Sequence, residues 1–161
     1  MYYKGDKSRL FFTKDRELNS TPLLFIHGFT GSSKSWRYIR NNIDYPSLAV
    51  DIPGHGNSTF NNLNDDYYFK DFTNELYLSL LDLNIKKIHL CGYSMGARLA
   101  LAFASKHPSM ISTLILESGT LGLSEIEEKE DRKSRRDECR PRENKHDNQR
   151  HQKKITMNQL F

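Results

Sequence analysis

Gly92-Tyr93-Ser94-Met95-Gly96 is the segment of this sequence best suited to do chemistry. It is a G-x-S-x-G pattern, and its neighbours give it meaning. The apolar run Lys87-Ile88-His89-Leu90-Cys91 precedes it, and a helical pattern from Met95 to Lys106 follows. On a sharp strand-to-helix turn, small residues on both sides let a serine adopt a strained backbone and lift its hydroxyl above a sheet. The N–H of Met95 would point at the same spot from the positive end of a helix dipole, as one donor to an oxyanion. Ser94 is therefore the candidate catalytic residue. Without the strand and the helix, the two glycines would mark only a turn.

Two further loops belong to the same reading. His27-Gly28-Phe29 follows the apolar run Leu23-Leu24-Phe25-Ile26. Glycine at 28 permits close backbone approach, and the N–H of Phe29 is the candidate second oxyanion donor. Asp51-Ile52-Pro53-Gly54-His55-Gly56-Asn57-Ser58 follows a second apolar run at Leu48. Its proline and glycines read as turn chemistry. Asp51 and His55 are expected to be structural, because triad partners in this arrangement come after the serine, in the order Ser, Asp/Glu, His. No G-x-x-x-x-G-K-[ST], H-E-x-x-H or dinucleotide glycine fingerprint occurs, so neither a cofactor nor a metal is expected.

The elements that must hold these loops are short apolar strands and amphipathic helices. A fourth apolar run is Leu114-Ile115-Leu116. Between the second and third runs, Phe72, Leu76, Leu80 and Leu83 recur at helical spacing. Met95 to Lys106, alanine-rich and closed by His107-Pro108, is a slim helix able to pack on a sheet. Strands apolar throughout and separated by helices predict an α/β fold, with a mostly parallel sheet flanked by helices. Trp36 is expected to pack under the 27–33 loop or to line the pocket. Tyr67-Tyr68-Phe69 is expected to start a core-facing helix.

Past residue 123 the character changes. Residues 124–138 are almost wholly charged, and residues 139–161 have no apolar period. Acidic and basic residues balance through position 138, so the net charge of +4 lies in the last 23 residues. The expected organisation is a partial α/β core at 1–123, the start of a further segment at 124–138, and a basic, disordered tail at 139–161. Two alternatives for the tail are a nucleic-acid arm, unsupported by Gly-Arg repeats or interleaved aromatics, and translation in a shifted reading frame.

Composition bounds the rest. The chain has 161 residues, 37% of them apolar and 27% charged, with a mean hydropathy of −0.71. No apolar run approaches the length of a membrane span, and the N-terminus has no apolar signal core. Cys91 sits in an apolar run and is expected to be a buried free thiol. A cytoplasmic protein is expected, with neither a membrane nor a nucleic acid as partner. Nothing in the sequence sets an oligomeric state.

The motifs, in this order, resemble the α/β-hydrolase superfamily. Within it, three segments resemble the SHCHC synthases (2-succinyl-6-hydroxy-2,4-cyclohexadiene-1-carboxylate synthases) of menaquinone biosynthesis. They are His27 to Ser33, Gly92 to Leu101, and Leu114-Ile115-Leu116-Glu117-Ser118. The resemblance covers residues 1–138, and Ala97 stands where a second glycine is usual. It implies a lyase with Ser94 as base, the Phe29 and Met95 N–H groups as anion hole, and a small carboxylate-bearing substrate. Arg98, one helical turn after Ser94, could be an ordinary surface arginine by position alone; the resemblance makes it a carboxylate clamp. The resemblance also carries Arg132 over as a substrate-binding residue, against the alternative of a solvated helix with a Glu128–Arg132 pair. An acid and a histidine after two later strands would complete the triad. His146 and His151 lie in the non-periodic tail, with no strand before them. The expectation is a truncated or frame-shifted synthase that is inactive and aggregation-prone. An ester or thioester hydrolase, or a non-enzymatic remnant, are the alternatives.

Overall fold

The computed structural model describes residues 1–18 and 20–119. Expectations that fall on 124–138, on 139–161 and on Arg132 lie outside the described residues.

Seven strands form one sheet: β1 (Tyr2–Lys4), β2 (Ser8–Lys14), β3 (Leu23–Ile26), β4 (Ser47–Asp51), β5 (Thr59–Phe60), β6 (Ile88–Tyr93) and β7 (Ile111–Glu117). Their order is β1-β2-β4-β3-β6-β7, with β5 paired to β2. β3, β4, β6 and β7 run parallel, as the four apolar runs predict. β1 and β2 add an antiparallel flank, so the sheet is mixed.

The helices α1 (Arg37–Asn42), α2 (Phe69–Asp82) and α3 (Met95–Lys106) fall between these strands. Alternation along each strand divides the core in two. Leu24 and Ile26 of β3 join Leu48, Val50, Leu90 and the apolar faces of α2 and α3 in the larger cluster. Phe25 faces the other way and packs with Trp36, Ala49 and Cys91. Trp36 stacks on Phe25 with ring centroids 4.7 Å apart. Cys91 is a buried free thiol, and burial pushes its pKa up. Among the described residues no helix is long and apolar enough to cross a membrane.

Two buried charges tie distant segments together. Glu75 of α2 accepts the N–H groups of Lys7 (2.8 Å) and Ser8 (3.0 Å) and the hydroxyls of Tyr67 (2.8 Å) and Ser8. Arg40 of α1 donates to Ser47 Oγ (3.0 Å) and the Thr13 carbonyl (3.2 Å), and pairs with Asp15 at 3.3 Å. Each charge is satisfied by several partners, which makes its burial tolerable. Both lie away from the serine.

The register is what assembles the site. Ile26 pairs with Gly92, and Tyr93 pairs with Glu117. The loop after β3, the turn after β6 and the end of β7 therefore meet at one edge of the sheet. That is the carboxyl end of the parallel strands, where crevices form in open α/β sheets.

Candidate active site

Ser94 has φ 53° and ψ −112°, a conformation that L-residues rarely adopt. It is held there from both sides. Its N–H donates to the Glu117 carbonyl at 2.9 Å, and its own carbonyl accepts the Ala97 N–H at 3.1 Å. The flanking glycines explain the pattern in atomic terms. A Cβ on Gly92 would lie 2.3 Å from the Gly96 carbonyl oxygen, and one on Gly96 would lie 2.3 Å from that of Ile26. Strand β6, helix α3 and strand β3 thus approach each other with no room for a methyl group. The serine is driven outward and stays partly exposed.

The 27–31 loop lies directly over this turn. A Cβ on Gly28 would meet the Tyr93 ring at 3.0 Å and Ser94 Cβ at 3.4 Å. Two histidines fix the loop. His27, fully buried, has its Nδ1 2.7 Å from the Gly28 carbonyl, and its Nε2 accepts the Ile52 N–H at 3.0 Å. Only the neutral ring with a proton on Nδ1 satisfies both bonds. His55 Nε2 donates to the carbonyl of Phe29, leaving that residue's side chain exposed. Asp51, also buried, accepts the N–H groups of Ser33 (2.5 Å) and Asn57 (2.8 Å) and so joins the two loops. Asp51 and His55 act as fasteners of the loop geometry, as their motif suggests.

Burial holds the His27 pKa below its ordinary value of 6.5, the desolvation of the imidazolium being the largest cause. The sign follows from linkage. As pH falls through 6.5, the unfolded chain binds a proton that folded His27 resists, so stability is full above that pH and declines below it. The expected slope from this group is at most about 1.4 kcal/mol per pH unit. Urea midpoints between neutral and mildly acidic pH should fall more steeply for the native chain than for His27→Gln.

A cavity of about 570 Å³ opens over Ser94. Phe29, Thr30, Trp36, Tyr93 and Glu117 help to line it. Met95 opens α3, where first-turn amides have no intrahelical acceptor. Ser94, Met95 and the Phe29 loop are thus brought together. Arg98 is half-buried one turn along α3 and does not line this cavity.

Sequence alone gives Glu117 no role. It ends β7 beside the serine turn, and Ser118 Oγ donates to its carboxylate at 2.9 Å. The available signal was its place at the end of an apolar run that pairs with the serine's strand. The described histidines do not serve Ser94. His27 and His55 are engaged as above, His89 bonds Thr113 (3.0 Å), and His107 stacks on Tyr77 (4.2 Å).

Comparison with known proteins agrees with this geometry. SHCHC synthase (2-succinyl-6-hydroxy-2,4-cyclohexadiene-1-carboxylate synthase) of Enterobacter sp. (strain 638) is 39% identical over 102 residues, 63% of this chain and 38% of its own length. The enzyme of that name from Klebsiella pneumoniae subsp. pneumoniae is 39% identical over 116 residues, 70% of this chain and 44% of its own. The chain therefore spans less than half the length of these curated relatives. A carboxylesterase structure from Nitrososphaera gargenis superposes with a TM-score of 0.73 at 21% identity, over 85% of this chain and 52% of that one. A thioesterase domain from the curacin biosynthetic pathway gives 0.70 at 24%, over 85% and 50%. The family model for the alpha/beta hydrolase fold matches residues 21–137. Sheet order, serine turn and family match agree, and the chain belongs to the α/β-hydrolase fold family.

Proposed function

We propose that this chain carries the serine half of a menaquinone-pathway lyase site. The substrate would be 2-succinyl-5-enolpyruvyl-6-hydroxy-3-cyclohexene-1-carboxylate. Ser94, once deprotonated by a histidine, removes a ring proton; the electron pair forms the diene and expels the enolpyruvyl oxygen, which leaves as pyruvate. The N–H groups of Phe29 and Met95 stabilise the anion that develops; the substrate-binding roles of Arg98 and Arg132 rest on the resemblance alone, since Arg98 does not line the described cavity. One observation carries the reading: Ser94 is held in a strained conformation in van der Waals reach of the Gly28 loop. The synthase names of the relatives supply the reaction class.

The base is the gap. Each described histidine is engaged elsewhere, so Ser94 lacks its activator among the described residues. General-base assistance contributes about 10²–10⁴ in rate.

One observation favours a second reading. Among the described residues, the cavity wall carries the Glu117 carboxylate and no cation, which suits a neutral ester or thioester better than a polyanion.

A fluorophosphonate probe separates these readings. Labelling is expected at Ser94 alone, absent in Ser94→Ala, and slowed by the cyclohexene carboxylate. Suppression by a neutral acyl ester instead selects the hydrolase. No labelling of Ser94 removes both enzymatic readings.

A further inference from the structure

The loop over Ser94 holds one peptide unit by its carbonyl and leaves its N–H open. The Gly28 carbonyl and the Phe29 N–H belong to the same planar unit, so the direction of one fixes the direction of the other. That carbonyl accepts two hydrogen bonds. The Gly31 N–H donates at 2.9 Å and closes the 28–31 turn. His27 Nδ1 donates at 2.7 Å. The next carbonyl, that of Phe29, is bonded by His55 Nε2. Between these two anchored carbonyls, the Phe29 N–H has no acceptor among the described residues. The loop lies against the serine, since a Cβ on Gly28 would come within 3.4 Å of Ser94 Cβ.

His27 is fully buried, which is costly for a ring with two polar atoms unless both are bonded. Both are. Nε2 accepts the Ile52 N–H at 3.0 Å, so the ring proton sits on Nδ1 and faces the Gly28 carbonyl. The bonds run one way, from the Ile52 N–H to the imidazole, from the imidazole to the Gly28 carbonyl, and from the Phe29 N–H to whatever stands over Ser94. Bonds in such a chain polarise one another, so each one the Gly28 carbonyl accepts makes the Phe29 N–H a stronger donor. The turn by itself needs only the Gly31 bond, and the end of β4 by itself needs only an acceptor for Ile52. A group that serves both with its two nitrogens does more than either. We propose that His27 is a positioning residue, which orients the Phe29 N–H toward the Ser94 cavity and strengthens it as a donor. This role rests on the reading of that N–H as a donor to the anion, and it adds a residue outside the triad that precedes the serine by 67 positions. With both nitrogens taken, His27 acts through the peptide and not on a substrate.

Two substitutions divide the bonds of the ring. The side-chain amide of asparagine falls near the place of Nδ1, and that of glutamine near the place of Nε2. His27→Asn therefore keeps a donor to Gly28, whereas His27→Gln keeps an acceptor for Ile52 and loses that donor. The readouts are the rate of fluorophosphonate labelling at Ser94 in the full 161-residue chain, the urea midpoint, and the Phe29 amide nitrogen resonance, which reports polarisation of the shared peptide. His27→Gln is expected to label about tenfold or more slowly than the native chain, a part of the roughly 10²–10³ that removal of a whole oxyanion donor costs. It should also move the Phe29 resonance upfield. His27→Asn should recover most of both losses, although each variant loses stability. Equal labelling and equal resonances in the two variants, or labelling that merely follows the urea midpoint, would reduce His27 to a structural role and overturn the proposal. Should a variant fail to fold, the native chain decides. A scalar coupling from His27 Nδ1 to the Gly28 carbonyl carbon, with Nε2 unprotonated, is the expected result, and a proton on Nε2 or no coupling overturns it. A native chain whose Ser94 does not label removes the proposed chemistry, and the Phe29 resonances then judge the orienting role by themselves.

Discussion

Gly96→Ala is expected to destabilise the fold by about 3 kcal/mol or more, a large part of the total stability of a domain of this size. The sign is informative, because helix propensity alone predicts the reverse. Alanine in place of glycine inside a helix is worth about 1 kcal/mol in favour of the variant. Gly96 is the second residue of α3, and the methyl group would lie 2.3 Å from the carbonyl oxygen of Ile26 and 2.5 Å from that of His27. These are backbone atoms of β3 and of the loop that follows it, so no side-chain rotation can relieve the contact. The helix must lift away from the strand, and Leu99, Ala100 and Phe103, all buried on the same helix, lose packing with it. Urea denaturation provides the measurement. Ser105→Ala, on the exposed side of α3, is the control and should shift stability by no more than about 0.5 kcal/mol. Gly96→Ala matching that control would mean α3 sits further from β3 than described.

That contact also shows why so much of the site was legible in the sequence. A G-x-S-x-G between an apolar run and an alanine-rich helix has few structural solutions, since the glycines are needed where three backbones converge. The four parallel strands and α3 were readable for the same reason: their burial is local and repeats along the chain. What escaped was decided by partners far away in sequence. Ser8, Leu10 and Phe12 alternate inward along β2, yet Ser8 is polar, and it is buried where Glu75 reaches it from 67 residues on. Glu75 reads as one more solvent-facing charge on α2, and Arg40 reads the same way on α1. Nothing local announces that each will be enclosed by hydroxyls and amides. His27 was legible as the start of a loop motif but not as the clamp that holds it, because its second partner is the Ile52 N–H, just past the end of the neighbouring strand. Glu117 belongs to a segment that resembles the synthases, but its place in the cavity wall depends on the Tyr93–Glu117 register.

Ser94→Gly should separate the strain from the chemistry. A non-glycine residue at φ 53° and ψ −112° costs on the order of 1–3 kcal/mol, and the surrounding contacts must hold it there. Glycine adopts this conformation without the Cβ penalty, while adding roughly 0.5–1 kcal/mol of unfolded-chain entropy. The net expectation for Ser94→Gly is a gain of about 1 kcal/mol over the native chain, a rise of several degrees in thermal midpoint. Ser94→Ala keeps the Cβ, and with it the strain, so it should unfold close to the native midpoint. Both variants lose the hydroxyl and should lose fluorophosphonate labelling completely. The pair is diagnostic because a serine merely sitting in a loop would lose labelling in both variants with no stability gain in either. A stabilised glycine variant and an unchanged alanine variant together mean that the fold spends stability to present one hydroxyl. A glycine variant less stable than the alanine one would show that the turn is relaxed, and the case for a poised nucleophile at this position would fail.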